Sequence, residues 1–312
     1  MTGGRAKSLA YAGRVMNAAT RPSEVPTLVD LEAWSAREAA HQRRVDVATA
    51  DHRSRRGQGV PHPIEDFLFS YYSTKPSQLR RWHPGVGVRL EGAAALERAS
   101  WKHYRVVGDA VEVDVDAFVA ARGRAVDFIG RLLAATSARP ARLGCFGLHE
   151  WAMVYRAREG DVRHEQVPLR LSQNETDEVV ERHQITCSHF DAFRFFTPEA
   201  LSRNAIQPTR ESQLELEQPG CLHAGMDVYK WATKLTPIVP SDLTMDCFDL
   251  AKEIRLLDMQ ASPYDLSDYG VAPVRIETAA GKAAYLERQR AFAERSNVLR
   301  HRLIGVLDTC VP

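Results

Sequence analysis

Apolar positions recur at helical spacing along most of the chain, and the breaks in that pattern mark its elements. Thr27 and Asp30 predict the capped start of a long charged helix, LEAWSAREAAHQRRVDVATADHRSRR. His62 and Pro63, with Glu65 and Asp66 in the following turn, open a second helix that carries the aromatic run FLFSYYS. Between about 86 and 115 the pattern alternates instead: VGVRL, then HYRVV and VEVDV around Gly108-Asp109, predict a hairpin. Helical spacing returns over 116–138, and Pro140 and Gly144 punctuate the chain after it.

The second half continues in the same manner. A helix is expected over 149–156, a short strand at Val167–Leu171, a capped helix at NETDEVVERH, and Ser188 as the N-cap of SHFDAFRFF. Residues 202–219 are polar and rich in breakers, reading as a loop or lid with acids at Glu211, Glu215 and Glu217. A helix then runs to Lys234 and is stopped by Pro237 and Pro240; Ser241 caps another to about Met259. VAPVRIE reads as a strand and 278–307 as a long C-terminal helix. The expected fold is therefore α+β, mainly α-helical, with a small antiparallel β-sheet. Residues 1–25, carrying Arg5, Lys7, Arg14 and Arg21 against one acid, read as a flexible N-terminal tail or as an over-extended start before Met16. Residues 26–312 read as a single compact helical domain with a β-hairpin insertion near 86–115.

Composition narrows the class without naming it. With 44% hydrophobic and 26% charged residues, this is the composition of an ordinary globular protein. A formal charge of +1 argues against a protein coated in nucleic acid, although a local basic stripe on a neutral body is compatible with it. The five cysteines are odd in number, scattered and never in CxxC, which favours a reducing, cytoplasmic setting over a disulfide framework. No apolar run is long enough to span a bilayer, so no membrane partner is expected.

Reactive side chains concentrate in three turns. QPGCLHAGMDVYKW places His223 and Asp227 four apart on one helical face, with Lys230 and Trp231 a turn further on. The His149-Glu150 pair precedes Trp151, and His189 and Asp191 precede a run of Phe. Each turn follows a cysteine or glycine, which suggests convergence on one pocket. Phosphate-binding loops, dinucleotide fingerprints, the GxSxG elbow, HExxH and the zinc-deaminase pattern are all absent.

Two chemistries use these residues. In the first, His149, His189, His223 and Asp227 are candidate ligands of a divalent Fe, Mn or Zn in an oxygenase or hydrolase acting on a small molecule, with Glu150 and Asp191 beside them. In the second there is no metal. A carboxylate from Asp227, Asp191 or Glu150, oriented by His223 or His189, assists cleavage of a glycosidic bond to a flipped cationic base. Trp151, Tyr229, Trp231 and Trp82 would then form its walls, and damaged DNA would be the partner. Arg53, Arg55, Arg56, Arg80 and Arg81 are the matching phosphate contacts; the stretch QLRRWHPG equally suits an anionic or planar ligand.

The segments VPTLVD, HPIEDFLFSYYS, LRRWHPG, GCFGLHEWAMVYR, CSHFDAFRFFTP, PGCLHAGMDVYKWA, DMQASPYDL and PVRIETAAGK resemble an actinobacterial family labelled 3-methyladenine DNA glycosylase, over nearly the whole chain from Val25. That resemblance implies a DNA-repair N-glycosylase excising alkylated bases. It assigns no catalytic role to a numbered residue, because the helix-hairpin-helix loop and the cysteine ligand sets of other glycosylases are missing from the sequence.

Overall fold

The computed structural model describes residues 26–157 and 167–310, so the expected N-terminal tail lies outside the described residues. In chain order the elements are β1 (Thr27–Val29), α1 (Leu31–Ala48), α2 (Ala50–Gly57), α3 (Phe67–Tyr71), α4 (Pro76–Leu79), β2 (Val88–Leu90), β3 (Tyr104–Val107), β4 (Ala110–Val113) and α5 (Val115–Ala138). There follow α6 (Leu148–Ala152), α7 (Gln173–Glu181), α8 (Phe190–Phe193), α9 (Pro198–Leu201), α10 (Gln213–Leu216), α11 (Leu222–Lys234), α12 (Ser241–Gln260) and α13 (Ala279–Asp308). The fold is mainly helical α+β, and among the described residues no helix is long and apolar enough to cross a membrane.

The chain packs as two compact units: residues up to Ala134 with Tyr229–Phe248 and the residues from Leu299 on, and Ala135–Val228 with Asp249–Val298. The first unit holds the sheet, in order β1-β2-β4-β3. The sheet is mixed rather than purely antiparallel, because β1 pairs parallel to β2. Thr27–Val29 was expected only as a helix cap, and three residues are too few for alternation to show. Asp30 does cap α1, accepting the Ala33 N–H at 2.8 Å. The long charged helix is interrupted at Thr49, whose hydroxyl donates to the Val45 carbonyl at 2.8 Å and competes with the helical ladder. The hairpin turns through Gly108-Asp109, with a φ of 66° at Gly108 that a side chain would strain. Register places Arg89 and Arg105 on either side of buried Glu112, and both bond to it at 2.8 Å. Burial pushes the Glu112 carboxyl up, but the two arginines outweigh it and hold it below its usual range.

The second unit is built around Trp151, Tyr155, Met226, Ile254, Tyr264 and Tyr285, all nearly or fully buried. Two expected strands are missing: Val167–Leu171 reduces to a single bridge between Leu169 and Tyr264, and VAPVRIE is irregular chain. Their alternating apolar residues had no neighbouring strand to pair with. The helix expected over 149–156 stops at Ala152 and ends in turns, with Arg156 at a φ of 50°. Ser172 and Glu175 form the capping box that starts α7. The expected lid at 202–219 contains α10 and is pinned at its end, where Arg139 donates to the carbonyls of Leu214 and Glu217.

Candidate metal centre

The entry to α11 is fixed by close backbone packing. A Cβ on Gly220 would stand 2.5 Å from the Arg142 carbonyl oxygen, and the Gly220 N–H donates to Gln218 Oε1 at 2.7 Å. The Gly220 carbonyl accepts from Gln289 Nε2 at 2.6 Å. With that start held, His223 and Asp227 follow one turn apart along the buried face of α11. α6 contributes His149 and Glu150, and the last turns of α12 contribute Arg255 and Asp258 at i,i+3 spacing.

His149, Glu150, His223 and Asp258 converge: one donor atom from each lies within 4.8 Å of all the others, and all four residues are buried. His149 Nε2 donates to Asp258 Oδ1 at 2.8 Å. Arg255 Nη1 lies 2.8 Å from Asp258 Oδ2 and 3.2 Å from Glu150 Oε1. The proton between His149 and Asp258 resides on the imidazole: burial opposes the charge on both groups, but each stabilises the ionised form of the other. Two cationic groups thus face two carboxyl groups in a site from which solvent is excluded.

His223 behaves differently. Its ring packs edge-on against His149 at 4.5 Å and stacks on His189 at 5.3 Å. Burial, reinforced by the His149 charge, pushes its pKa well below the ordinary histidine value, so it is neutral. Its Nδ1 is buried with no hydrogen-bond partner among the described residues. His189 Nε2 donates to Asp227 Oδ2 at 3.3 Å, and its Nδ1 is likewise buried without a partner. His189 itself, not Ser188, is the N-cap position of α8, with no side-chain capping bond. Cys145 Sγ lies 3.8 Å from His149 Nδ1, and all five cysteines are free.

Several expected site residues lie elsewhere. Asp191 pairs with Arg194 at 3.3 Å rather than joining the four converging groups. Trp151 donates from Nε1 to the Ala261 carbonyl at 2.8 Å, with Arg170 over its ring, so it is fixed as core. Tyr229, Trp231 and Trp82 are buried in the first unit: Tyr229 against Tyr72 and Phe248, Trp231 against Phe128, and Trp82 beneath Arg98. Arg80 pairs with Asp46, and Arg81 lies over Trp101 at 4.6 Å. Asp258 and Arg255 had no place in the sequence reading. Their signal is two charges three apart inside the buried apolar stretch Ile254, Leu257 and Met259. Comparisons with family models, curated proteins and solved structures return no match.

Proposed function

We propose that this protein is a metal-dependent enzyme acting on a small molecule, with a divalent first-row ion held by His149, Glu150, His223 and Asp258. The observation that carries this reading is His223, a neutral imidazole buried beside two carboxylates with Nδ1 unpartnered. Burying a polar nitrogen without a partner costs about 1–3 kcal/mol, a cost that ligation removes. In a tetrahedral site with ligands at about 2.0–2.2 Å the donor atoms stand roughly 3.3–3.6 Å apart, so on binding the widest-spaced donors of the cluster close by up to about an ångström while His149 and Asp258, now 2.8 Å apart, open slightly. Imidazole and carboxylate together suit Fe, Mn or Zn.

Such an ion supplies Lewis acidity and lowers the pKa of bound water. The chain's own residues arrange the rest. Arg255 holds Glu150 and Asp258 in fixed positions and offsets part of their charge. His189 can take up a proton at Nδ1 while Asp227 steadies the ring from Nε2, an acid–base pair stacked against His223. Burial separates this reading from base excision. Excision needs a carboxylate that a sugar can reach and cations free to meet phosphates. Asp227 is 1% exposed, and of the expected phosphate contacts Arg53, Arg55 and Arg80 are engaged with Asp46, Glu65 and Asp66, whereas Arg81 is in no ion pair among the described residues.

The test is titration with cobalt(II), followed by its d–d absorption, across pH. Each ligating imidazole must offer a lone pair, so His149 gives up a proton, and affinity should rise about tenfold per pH unit until the raised His149 value is passed. His149→Gln should flatten that dependence, and His223→Ala should abolish tight binding. Binding unchanged in both variants would sink the assignment.

A further inference from the structure

The first unit contains a cavity of about 500 Å³ with four cationic side chains in its lining, Arg81, Lys102, Arg122 and Lys234, and no carboxylate. The chain as a whole carries 41 basic and 40 acidic residues, so an acid-free wall is a local departure from a balanced composition. None of the four cations is in an ion pair among the described residues, in contrast to Arg53, Arg55 and Arg80 nearby in sequence. Glu38 and Asp242 act electrostatically on His41, but neither lines the cavity. Hydroxyl groups from Ser73, Thr74, Thr233 and Thr236 complete the polar wall.

Burial dominates the two shifted histidines in that wall, and neighbouring cations add to it. Burial, then the charges of Arg98 and Arg81, push His83 down to about 3, and burial with Lys102 and Arg122 lowers His103. His83 is fixed as a neutral ring by Tyr104, whose hydroxyl lies 2.8 Å from Nδ1. Four cations left unpaired around one concavity repel one another, and an anion in their midst relieves that repulsion. The volume falls within the range of small-molecule sites, roughly 300–1,000 Å³.

We infer that this cavity is a binding site for a small molecule carrying two or more phosphate groups, gripped by Arg81, Lys102, Arg122 and Lys234. The site is independent of the metal centre, since all its lining residues belong to the first unit and all four ligand candidates to the second. Arg81 and Arg122 can offer paired N–H groups to phosphate oxygens, while Lys102 and Lys234 act as point charges.

Isothermal titration of the full chain with inorganic pyrophosphate tests it. Saturable binding is expected, weakened roughly ten- to hundredfold by the double substitution Arg122→Gln and Lys234→Gln. Arg80→Gln, outside the cavity, should leave affinity unchanged, and so should prior dialysis against a metal chelator, which separates this site from any binding of pyrophosphate at the metal centre. Thermal melts establish that the double variant is folded. The inference is overturned if pyrophosphate gives no saturable heat at millimolar concentration, or if the folded double variant binds as tightly as wild type. It is also overturned if a short DNA duplex binds through the same residues while pyrophosphate does not, because the cavity would then serve a polymer.

Discussion

Asp258→Asn is the perturbation that most sharply tests the buried network in the second unit. The substitution keeps shape and removes one charge, leaving His149 without its carboxylate and Arg255 facing Glu150. Asp258 is completely buried, so water cannot replace what is lost. Breaking a buried pair in this way costs about 3–5 kcal/mol. At about 2–4 °C per kcal/mol for a chain approaching this size, Tm should fall by roughly 6–20 °C in a melt at neutral pH on chelator-dialysed protein. Asp46→Asn is the comparison: it breaks exposed pairs with Arg53 and Arg80, each worth about 0–1 kcal/mol. The pH dependence supplies a second readout. The folded His149 value is raised, so its stabilisation is fully present below the unfolded value of about 6.5 and is lost as pH rises through the folded value. That alkaline loss should vanish in Asp258→Asn. A variant melting within about 2 °C of wild type, with its alkaline loss intact, would refute the network as the source of this stability.

Acidification tests the first unit. His83 is held at about 3 in the fold against about 6.5 unfolded, so its stabilisation is present above 6.5 and declines as pH falls, by about 2 kcal/mol at pH 5. Comparison of urea midpoints between neutral pH and pH 5 should show a shallower decline for His83→Gln than for wild type. Gly220→Ala drives a Cβ into the Arg142 carbonyl at 2.5 Å and should destabilise by about 1–3 kcal/mol while weakening metal binding, because the start of α11 must shift. A Gly220→Ala protein with wild-type stability and affinity would show that the contact does not position His223.

The parts of the fold legible in the sequence were those with strong local signals. α11, α12 and α13 begin and end within a residue or two of the expected positions, because prolines, caps and helical spacing bound them. The hairpin was legible in Gly108-Asp109, whereas β1 and the parallel pairing were not, since a three-residue edge strand is fixed by its partner alone. The long charged helix concealed its break because Thr49 acts through a hydroxyl contact that no spacing reveals.

The site divides along the same line. His149, Glu150, His189, His223 and Asp227 stood out as reactive groups at punctuated turns, and the structure gathers them into two adjoining sets bridged by the His223 ring. Asp258 was missed because α12 carries many other charges, and only tertiary packing decides which of them is buried. The aromatic residues expected as walls are core, for an indole or phenol ring beside a reactive turn has the same sequence signature in either role.

Elemental analysis of the full chain, purified without a histidine tag and passed through a desalting column, tests the central claim most directly. Wild type and Asp191→Ala should each retain a single equivalent of iron, manganese or zinc, while His223→Ala and Asp258→Asn lose it. A wild type that holds no metal after incubation with all three ions, or a His223→Ala variant that holds as much as wild type, would contradict a metal centre at His149, Glu150, His223 and Asp258.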